Sequence, residues 1–319
     1  MTDSDNLMVD LPEALKPAAI LQEGQENGKG LAAVPEAEVL SPVELVPASR
    51  FSFEELCAAY NQTRVDYIVP MPMNVARLRE YVYNYDIDMD ASAVAMAGHQ
   101  ILGLVMLGVR PGHTWITRLG VLPVKRRHGT GQLLMEHLVD QSRRLKVDYV
   151  LLEVIKGNAP AYCLFHKLGL REIRELLVLR RPPGPPSWEA TPYTAEVLDY
   201  QQALGLLNQR RSIASWLDET PSLMNAGHLA ALRVELKTGE RGWLVYQNTV
   251  FQLSRLVLHT EVGDPHPVAL ALIHALHNRH PAQDTLTENL PADDPHWPAM
   301  QEAGYLEAFR RIEMRLDFD

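Results

Sequence analysis

The chain has 319 residues, of which 46% are hydrophobic and 22% charged, and its formal net charge is −10 at pH 7. The length suits two domains, each with its own core. The negative charge argues against nucleic-acid binding, which needs cations to neutralise phosphates, and it suits a cationic small molecule or a basic peptide better. No apolar run is long enough for a membrane span and no secretory signal is visible, so we expect a cytoplasmic protein.

The first predicted elements follow an acidic leader. Residues 1–41 are rich in Glu, Asp, Pro, Gly and Ala without periodicity, which predicts a disordered acidic tail. Residues 43–47 predict a short edge strand. Ser52 and Glu55 form a capping-box pattern that starts a helix, and a second helix is expected over 74–82.

The middle of the first half alternates between strand and helix patterns. Strands are predicted over 91–97, 101–109, 114–122, 149–152 and 175–180, the first two as a hairpin. A helix begins at Gly129 with one apolar face, and another, capped by Asn158, ends at Gly169. The order is strand, two helices, three strands, helix, strand, helix, strand, which predicts an α/β fold with a mixed sheet.

A proline-rich stretch at 182–187 predicts a stiff linker between two domains, 42–181 and 188–319. The element pattern then recurs. Helices are expected over 198–207, 212–223 and 267–277 and before Gly304, and strands over 229–236, 242–246, 250–258 and 285–289.

The strongest local signal is the loop Arg126-Arg127-His128-Gly129-Thr130-Gly131, which joins a strand to a helix. Gly129 and Gly131 let the backbone approach a ligand, and the helix start offers unpaired N–H groups that suit a pyrophosphate. Arg126 and Arg127 add charges that can pair with phosphate oxygens. The alternative interpretation is a glycine-rich turn with solvated arginines. A P-loop is disfavoured because no Gly-Lys-Ser/Thr follows, and a Rossmann site because GxGxxG is absent.

This loop, with the downstream segment Leu152-Glu153-Val154, Asn158, Ala161, Phe165 and Gly169-Leu170, resembles the two motifs of GNAT acetyltransferases over about residues 42–181. The resemblance implies two tandem copies of the GNAT acyl-CoA N-acyltransferase fold, the second degenerate, with acetyl-CoA as co-substrate. It also implies a sheet that splays between its fourth and fifth strands. The residues expected to hold the cofactor are Leu119, Gly120, Val121, Arg126, Arg127, His128, Gly129, Thr130, Gly131, Asn158 and Phe165.

Glu153 is the candidate general base, because the resemblance places it where the sheet opens; the alternative is a carboxylate that orders the strand end or binds the acceptor. GNAT enzymes commonly carry a tyrosine acid where this chain has Phe165, which has no O–H. Tyr162, on the same helix face, is a candidate replacement, and simple packing is its alternative role.

Tyr85, Asp88 and Asp90 precede the second strand and are expected to bind the acceptor amine; the alternative is a solvated acidic loop. In the second half, residues 259–267 contain neither an arginine pair nor GxG, and Glu261 and Asp264 would repel a pyrophosphate. We expect this half not to bind acetyl-CoA but to shape the acceptor site or a homodimer contact.

No metal is expected. The two cysteines have no metal-binding spacing, and His274, His277 and His280 predict a solvated helix face. The leading hypothesis is an N-acetyltransferase that acetylates an amine of a small molecule or a peptide. The competing hypothesis, motivated by Phe165 and the degenerate second half, is a non-catalytic acetyl-CoA-binding scaffold protein.

Overall fold

A computed structural model describes residues 42–210 and 212–318. The predicted tail, 1–41, lies outside these residues. One mixed sheet of twelve strands runs through the described part of the chain, and eight α-helices cover it. None of the helices in these two stretches combines the length and apolar character of a membrane span.

The first half contributes six strands and four helices in the predicted order. They are β1 (Val43–Pro47), α1 (Phe53–Gln62), α2 (Val75–Asn84), β2 (Ile87–Ala97), β3 (Gln100–Arg110), β4 (His113–Val121), α3 (Thr130–Arg144), β5 (Tyr149–Ile155), α4 (Ala159–Lys167) and β6 (Arg171–Arg181). The capping box is present, since Ser52 Oγ accepts from the Glu55 amide at 3.1 Å and Glu55 accepts from the Ser52 amide at 2.8 Å.

The second half repeats the series from strand to strand. Its elements are β7 (Tyr193–Leu198), α5 (Tyr200–Gln209), α6 (Thr220–Ala226), β8 (Leu229–Leu236), β9 (Arg241–Asn248), β10 (Gln252–Val262), α7 (Pro265–Arg279), β11 (Asp284–Pro291), α8 (Trp297–Glu302) and β12 (Leu306–Asp317). The helices α3 and α7 hold the same place in their halves and have 15 residues each.

Three elements differ from the sequence prediction. β7 and β12 were not predicted, and the helix expected over 212–223 is wrong. The chain instead forms a short 3-10 turn at Trp216–Asp218 and starts α6 at Thr220. Pro221 explains the difference, because proline fits the first turn of a helix but disrupts its interior.

The two halves exchange their last strands. The strand order is β1-β2-β3-β4-β5-β12-β6-β11-β10-β9-β8-β7, so β12 lies between β5 and β6, and β6 lies between β12 and β11. The register places Glu313 of β12 opposite Glu153 of β5 and opposite Arg174 of β6. Each half therefore completes the other's sheet, while the domain boundaries predicted at 181 and 188 stay a prediction.

Buried contacts also join the halves beside the sheet. Trp216 is fully buried, stacks on Trp115 with 5.7 Å between ring centroids, and donates its indole N–H to the Tyr85 carbonyl at 3.1 Å. The buried Arg110 forms ion pairs of 2.8 Å with Asp86 of the first half and Glu219 of the second.

Three histidines in the last turns of α7 and at its C-cap make hydrogen bonds to tyrosines. His274, His277 and His280 bond to the hydroxyls of Tyr193, Tyr305 and Tyr246, at 2.9, 2.9 and 3.1 Å. The solvated face predicted for them is wrong at His277, which is fully buried in the core around α7. Burial chiefly lowers the pKa of His277 to about 3, and Arg181 and His280 contribute to the shift.

Acid should therefore destabilise the protein through His277. Its pKa is about 3 in the folded state and about 6.5 in the unfolded chain. The unfolded state thus takes up the proton first, and stability falls as the pH drops below 6.5. We expect this residue to cost about 2 kcal/mol between pH 6.5 and 5. Urea unfolding at both pH values should show a smaller loss in His277→Gln than in the wild type or in His274→Gln; equal losses would contradict the assignment.

The strand exchange predicts that neither half folds alone. A chain of residues 42–187 lacks β12, so β5 and β6 lose the strand that lies between them. A chain of residues 188–319 lacks β6, so β12 and β11 lose theirs. Each half alone would therefore expose strands with unpaired backbone groups. We expect each half to be insoluble when expressed singly and the two to co-purify as a 1:1 complex when co-expressed. Affinity purification through a tag on one half, followed by size-exclusion chromatography, tests this. A single half that is monomeric and unfolds cooperatively would contradict it.

Candidate active site

The sheet opens between β4 and β5. The two strands pair in parallel from His113–Tyr149 to Ile116–Leu152, and beyond that point β4 continues to Val121 without further pairing to β5. A β-bulge shifts the β3–β4 register between Thr117 and Gly120, and Arg118 within it has a φ of 56°. A bulge bends its strand, so β4 turns away from β5. The gap implied by the resemblance is present.

The predicted anion loop lies at the start of α3. Gly129 is the N-cap with a φ of 84°, no side chain caps the helix, and its first turn has no acidic residue. The first-turn N–H groups have no partner within the helix, and they lie at the positive end of its dipole. Gly129 is exposed, and a Cβ there would meet nothing within 4 Å, so its positive φ is the reason for glycine. Arg127 and His128 are exposed at the tip of the loop.

Arg126 holds this loop in place. Its two terminal nitrogens each donate to a different Asp66 oxygen at 2.7 Å. Further bonds go to the carbonyls of Thr63 at 3.0 Å and Val121 at 3.1 Å. All three guanidinium nitrogens thus bind protein oxygens. Arg126 positions the loop, and the phosphate contact predicted for it stays a prediction.

The backbone at the β4 end of the gap is tightly packed. Gly120 pairs with Leu104 and Val121 with Gly103 on β3. A Cβ on Gly120 would lie 2.2 Å from Thr63 Oγ1, so only glycine lets α1 and β4 approach this closely. The Leu119 carbonyl accepts from Arg64 Nη2 at 2.8 Å.

A cavity of about 660 Å³ lies beside the gap, and both halves line it. The first half contributes the α1–α2 connection, α2 and the facing parts of β4 and β5. The second half contributes residues of β10 and β11, the 3-10 turn before α6, and the exchanged strand β12. Its polar and aromatic lining includes Arg64, Tyr67, Tyr81, Tyr85, Trp115, Arg118, Glu153, Asp218, Arg255, Glu288, Phe309 and Arg311.

Glu153 lines this cavity from β5. Its pKa is raised to about 8, chiefly by burial and also by the charges of Glu313 and Glu288. Arg311 and a hydrogen bond from Asn289 Nδ2 at 2.9 Å oppose this rise. The carboxyl is mostly protonated at pH 7 and becomes a base near pH 8, a useful range for proton transfer. Its partners Asn289 and Arg311 belong to the second half, and the sequence analysis missed both.

Arg311 connects the two carboxylates of the site. Its guanidinium donates to Glu288 and to Asn289 Oδ1, and Asn289 in turn donates to Glu153. Burial alone would raise the pKa of Glu288, but Arg311, Arg118 and Arg255 hold it below its ordinary value. Glu288 is therefore the ionised carboxylate of the pair and Glu153 the protonated one at neutral pH.

Comparison with known proteins agrees with this geometry. Residues 59–170 match the model of the Acetyltransferase (GNAT) family. The chain carries a GNAT acetyltransferase domain. The domain is that of an acyltransferase, and no curated protein matches the sequence.

Solved GNAT structures share the fold of the whole described chain. A GCN5-related N-acetyltransferase from Sphaerobacter thermophilus has 15% identity and a TM-score of 0.65, over 87% of this chain and 96% of that one. A tandem GNAT protein from the clavulanic acid biosynthesis pathway has 15% identity and a TM-score of 0.57, over 86% and 98%. The glucosamine N-acetyltransferase region of a fungal multi-domain GH3 β-N-acetylglucosaminidase has 12% identity and a TM-score of 0.67, over 89% and 39%. At sequence identities this low, the structural similarity establishes the fold and nothing about the substrate.

Within the GNAT frame, α4 presents no acid to the cavity. Phe165 is buried in the core beneath α3. Tyr162 lies beside the His166 ring, the nearby Glu172 raises its pKa, and it does not line the cavity. Asn158 caps α4 and donates to the Tyr67 hydroxyl at 3.3 Å, which connects α4 to the cavity wall. The acid role of Tyr162 stays a prediction.

Of the three predicted acceptor residues, one lines the cavity and two do not. Tyr85 lines the cavity, and its hydroxyl accepts from Arg255 at 2.9 Å. Asp88 accepts from the amides of Asp90 and Ala91, and Asp90 accepts from Ser49; neither aspartate lines the cavity. Their acceptor role stays a prediction, and the aspartates have local hydrogen bonds that account for them.

The second half has the same frame with a closed anion site. β10 and β11 pair from Gln252–Asp284 to Ser254–Leu286, β10 has a bulge, and Arg255 within it has a φ of 55°. At the start of α7, however, Asp264 accepts from the His266 amide at 3.0 Å, and Glu240 accepts from the Asp264 amide at 3.1 Å. Carboxylates thus lie at the end of α7 that corresponds to the open start of α3. This supports the prediction that the second half does not bind acetyl-CoA.

The anion site can be tested with one pair of isosteric variants. Asn and Asp are similar in size and tolerate a positive φ better than other side chains, so Gly129→Asn and Gly129→Asp differ mainly in charge. We expect Gly129→Asp to bind CoA at least about tenfold more weakly than Gly129→Asn, because its carboxylate offsets the positive end of the helix dipole and repels a diphosphate. Calorimetric titration of the full chain measures both affinities. Equal affinities would show that the loop does not hold the diphosphate.

Proposed function

We propose that the protein is an N-acetyltransferase that moves an acetyl group from acetyl-CoA to an amine of a small molecule or a peptide, by direct attack in a ternary complex. One juxtaposition supports this best. The open anion site at Gly129 follows β4, and the half-buried Glu153 lies on β5, so the two flank the same gap in the sheet.

The residues around the gap fit acetyl-CoA. The uncapped first turn of α3 offers N–H donors of the kind that bind a diphosphate. Beyond Ile116, β4 no longer pairs with β5. This leaves room between the two strands for the extended pantetheine part of acetyl-CoA. When bound, acetyl-CoA supplies an activated acyl carbonyl with a thiolate leaving group.

Glu153 has the environment of a general base. In this proposal it accepts the proton that the acceptor nitrogen loses as the nitrogen–carbon bond forms and the carbon–sulfur bond breaks. Asn289 donates to the carboxyl and orients it, and Arg311 stabilises its ionised form. The leaving group departs as a thiolate, whose conjugate acid has a pKa of roughly 8.5, so a protein acid is not essential. Phe165 is compatible with that route.

The pKa of Glu153 predicts the pH dependence of catalysis. Because this pKa is raised to about 8, the base form is scarce at pH 6. We expect kcat/KM to rise about tenfold per unit up to pH 7 and to level off above pH 8. The assay should use an arylamine as the acceptor, because its amino group does not titrate in this pH range. Glu153→Gln should lower kcat about 10²- to 10⁴-fold and abolish the inflection.

The matched control is Glu136→Gln on the exposed side of α3, which should keep the wild-type profile. CoA affinity should be unchanged in both variants, since neither residue contributes to the anion site. A Glu153→Gln enzyme with the wild-type rate and inflection would exclude Glu153 as the base.

A non-catalytic acetyl-CoA-binding scaffold is the second candidate, favoured by the absence of Tyr162 from the cavity lining and by the phenylalanine at 165. Release of free thiol from acetyl-CoA with a broad amine panel distinguishes the two. Tight CoA binding without amine-dependent thiol release would establish the scaffold.

A further inference from the structure

The charge of the cavity is opposite to the charge of the protein. The chain has a formal net charge of −10, yet five arginines line the cavity against four carboxylates: Arg64, Arg77, Arg118, Arg255 and Arg311 against Glu80, Glu153, Asp218 and Glu288. Because Glu153 is protonated below about pH 8, the imbalance is larger at neutral pH. A cavity of this sign in an acidic protein attracts an anionic group.

Two of these arginines occupy equivalent positions in the two halves. Arg118 lies in the β4 bulge with a φ of 56°, and Arg255 lies in the β10 bulge with a φ of 55°. Such a φ is uncommon for a residue other than glycine. In both halves the bulge directs the arginine side chain to the shared cavity.

The partners of Arg118 and Arg255 are neutral. Arg118 Nη1 donates to the Tyr60 hydroxyl at 2.9 Å, and its guanidinium lies 4.1 Å from the centroid of the Tyr81 ring. Arg255 Nη2 donates to the Tyr85 hydroxyl at 2.9 Å. These contacts fix the direction of both guanidinium groups without neutralising their charge.

Neither guanidinium has a carboxylate within 4 Å in the described ranges 42–210 and 212–318. Arg118 Nε is also buried without a hydrogen-bond partner among those residues. Among the described residues, the buried Arg110 pairs with Asp86 and Glu219, and the half-buried Arg311 pairs with Glu288. The buried Arg181 donates instead to backbone carbonyls. Arg118 and Arg255 act on Glu288 from beyond 4 Å, where they help to lower its pKa. Both guanidinium groups can therefore still take an anionic partner in direct contact, which we look for in a ligand.

We propose that the acceptor carries a carboxylate as well as the reacting amine, and that Arg118 and Arg255 bind this carboxylate inside the shared cavity. This inference rests on the proposed acetyl transfer. The amine lies toward Glu153 on β5, and the carboxylate lies toward the bulge of β4 and its counterpart on β10. Guanidinium groups match the planar geometry of a carboxylate.

The rest of the lining narrows the acceptor class. A volume of about 660 Å³ suits an acceptor the size of an amino acid or a short peptide beside an acyl group. Tyr81, Tyr85, Trp115 and Phe309 give the wall apolar faces. Glu288 is ionised and would repel a multiply charged anion. A small amino acid-like acceptor therefore fits better than a phosphorylated one.

The test compares amines that differ only in the carboxylate. The full chain is assayed with acetyl-CoA and the pairs phenylalanine and phenethylamine, β-alanine and ethylamine, and lysine and cadaverine, by release of free CoA. We expect kcat/KM to be at least about tenfold higher for the carboxylate member of the pairs, in line with a charge-assisted contact. Arg255→Gln and Arg118→Gln should each remove most of that advantage, about tenfold, through the acceptor KM, with the KM for acetyl-CoA unchanged.

Arg143→Gln, an exposed residue of α3, is the matched control and should keep the full preference. Equal rates for both members of each pair, or a preference for the amines without a carboxylate, would overturn this inference and leave the acetyl transfer intact. Retention of the preference in both cavity variants would also overturn it. If no amine of any pair releases CoA, both the proposed function and this inference fail.

Discussion

The pairing of β12 with β5 is the constraint on which the site depends. It places the last strand of the chain beside the strand that carries Glu153, with Glu313 directly opposite. Arg311, two residues before Glu313, points to the same face of the sheet and connects Glu288 and Asn289 to the candidate base. Without this exchange, Glu153 would lack both its like-charged neighbour and its cationic one. The raised pKa of Glu153 is thus a property of both halves together.

The exchange also explains why β12 is difficult to predict. Its charged residues at 310, 311, 313 and 315 read as a solvated segment, because buried strands are ordinarily apolar. In the structure Glu313 is almost fully buried and binds Arg174, while Arg311 binds Glu288. Their partners lie far away in the sequence, so no local pattern reveals the pairing. β7 was missed for a different reason, since it is an edge strand whose exposed residues lack clear alternation.

Elements with local causes could be predicted. The capping box at Ser52, the glycine loop before α3 and the Asn158 cap depend on residues a few positions apart, and the structure contains all three. The gap between β4 and β5 could be predicted from the family resemblance. The cavity could not be predicted, because its lining requires Arg255, Glu288 and Arg311 from the other half. The acidic residues near Tyr85 suggested a cationic acceptor, whereas the described cavity carries more arginines than carboxylates.

The second half has the pattern of a duplicated domain in which the start of the long helix differs from that of the first half, while several of its residues line the shared cavity. Asp264 and Glu240 occupy the start of α7, where the corresponding helix α3 is uncapped. Yet Arg255 has the positive φ of Arg118, and Glu288 lies two residues beyond Leu286, the β11 residue that corresponds to Glu153. A positive φ at a residue other than glycine has an energetic cost, and the β10 bulge carries this cost at Arg255. The side chain of Arg255 lines the cavity that both halves share, so the second half contributes to the acceptor site proposed above.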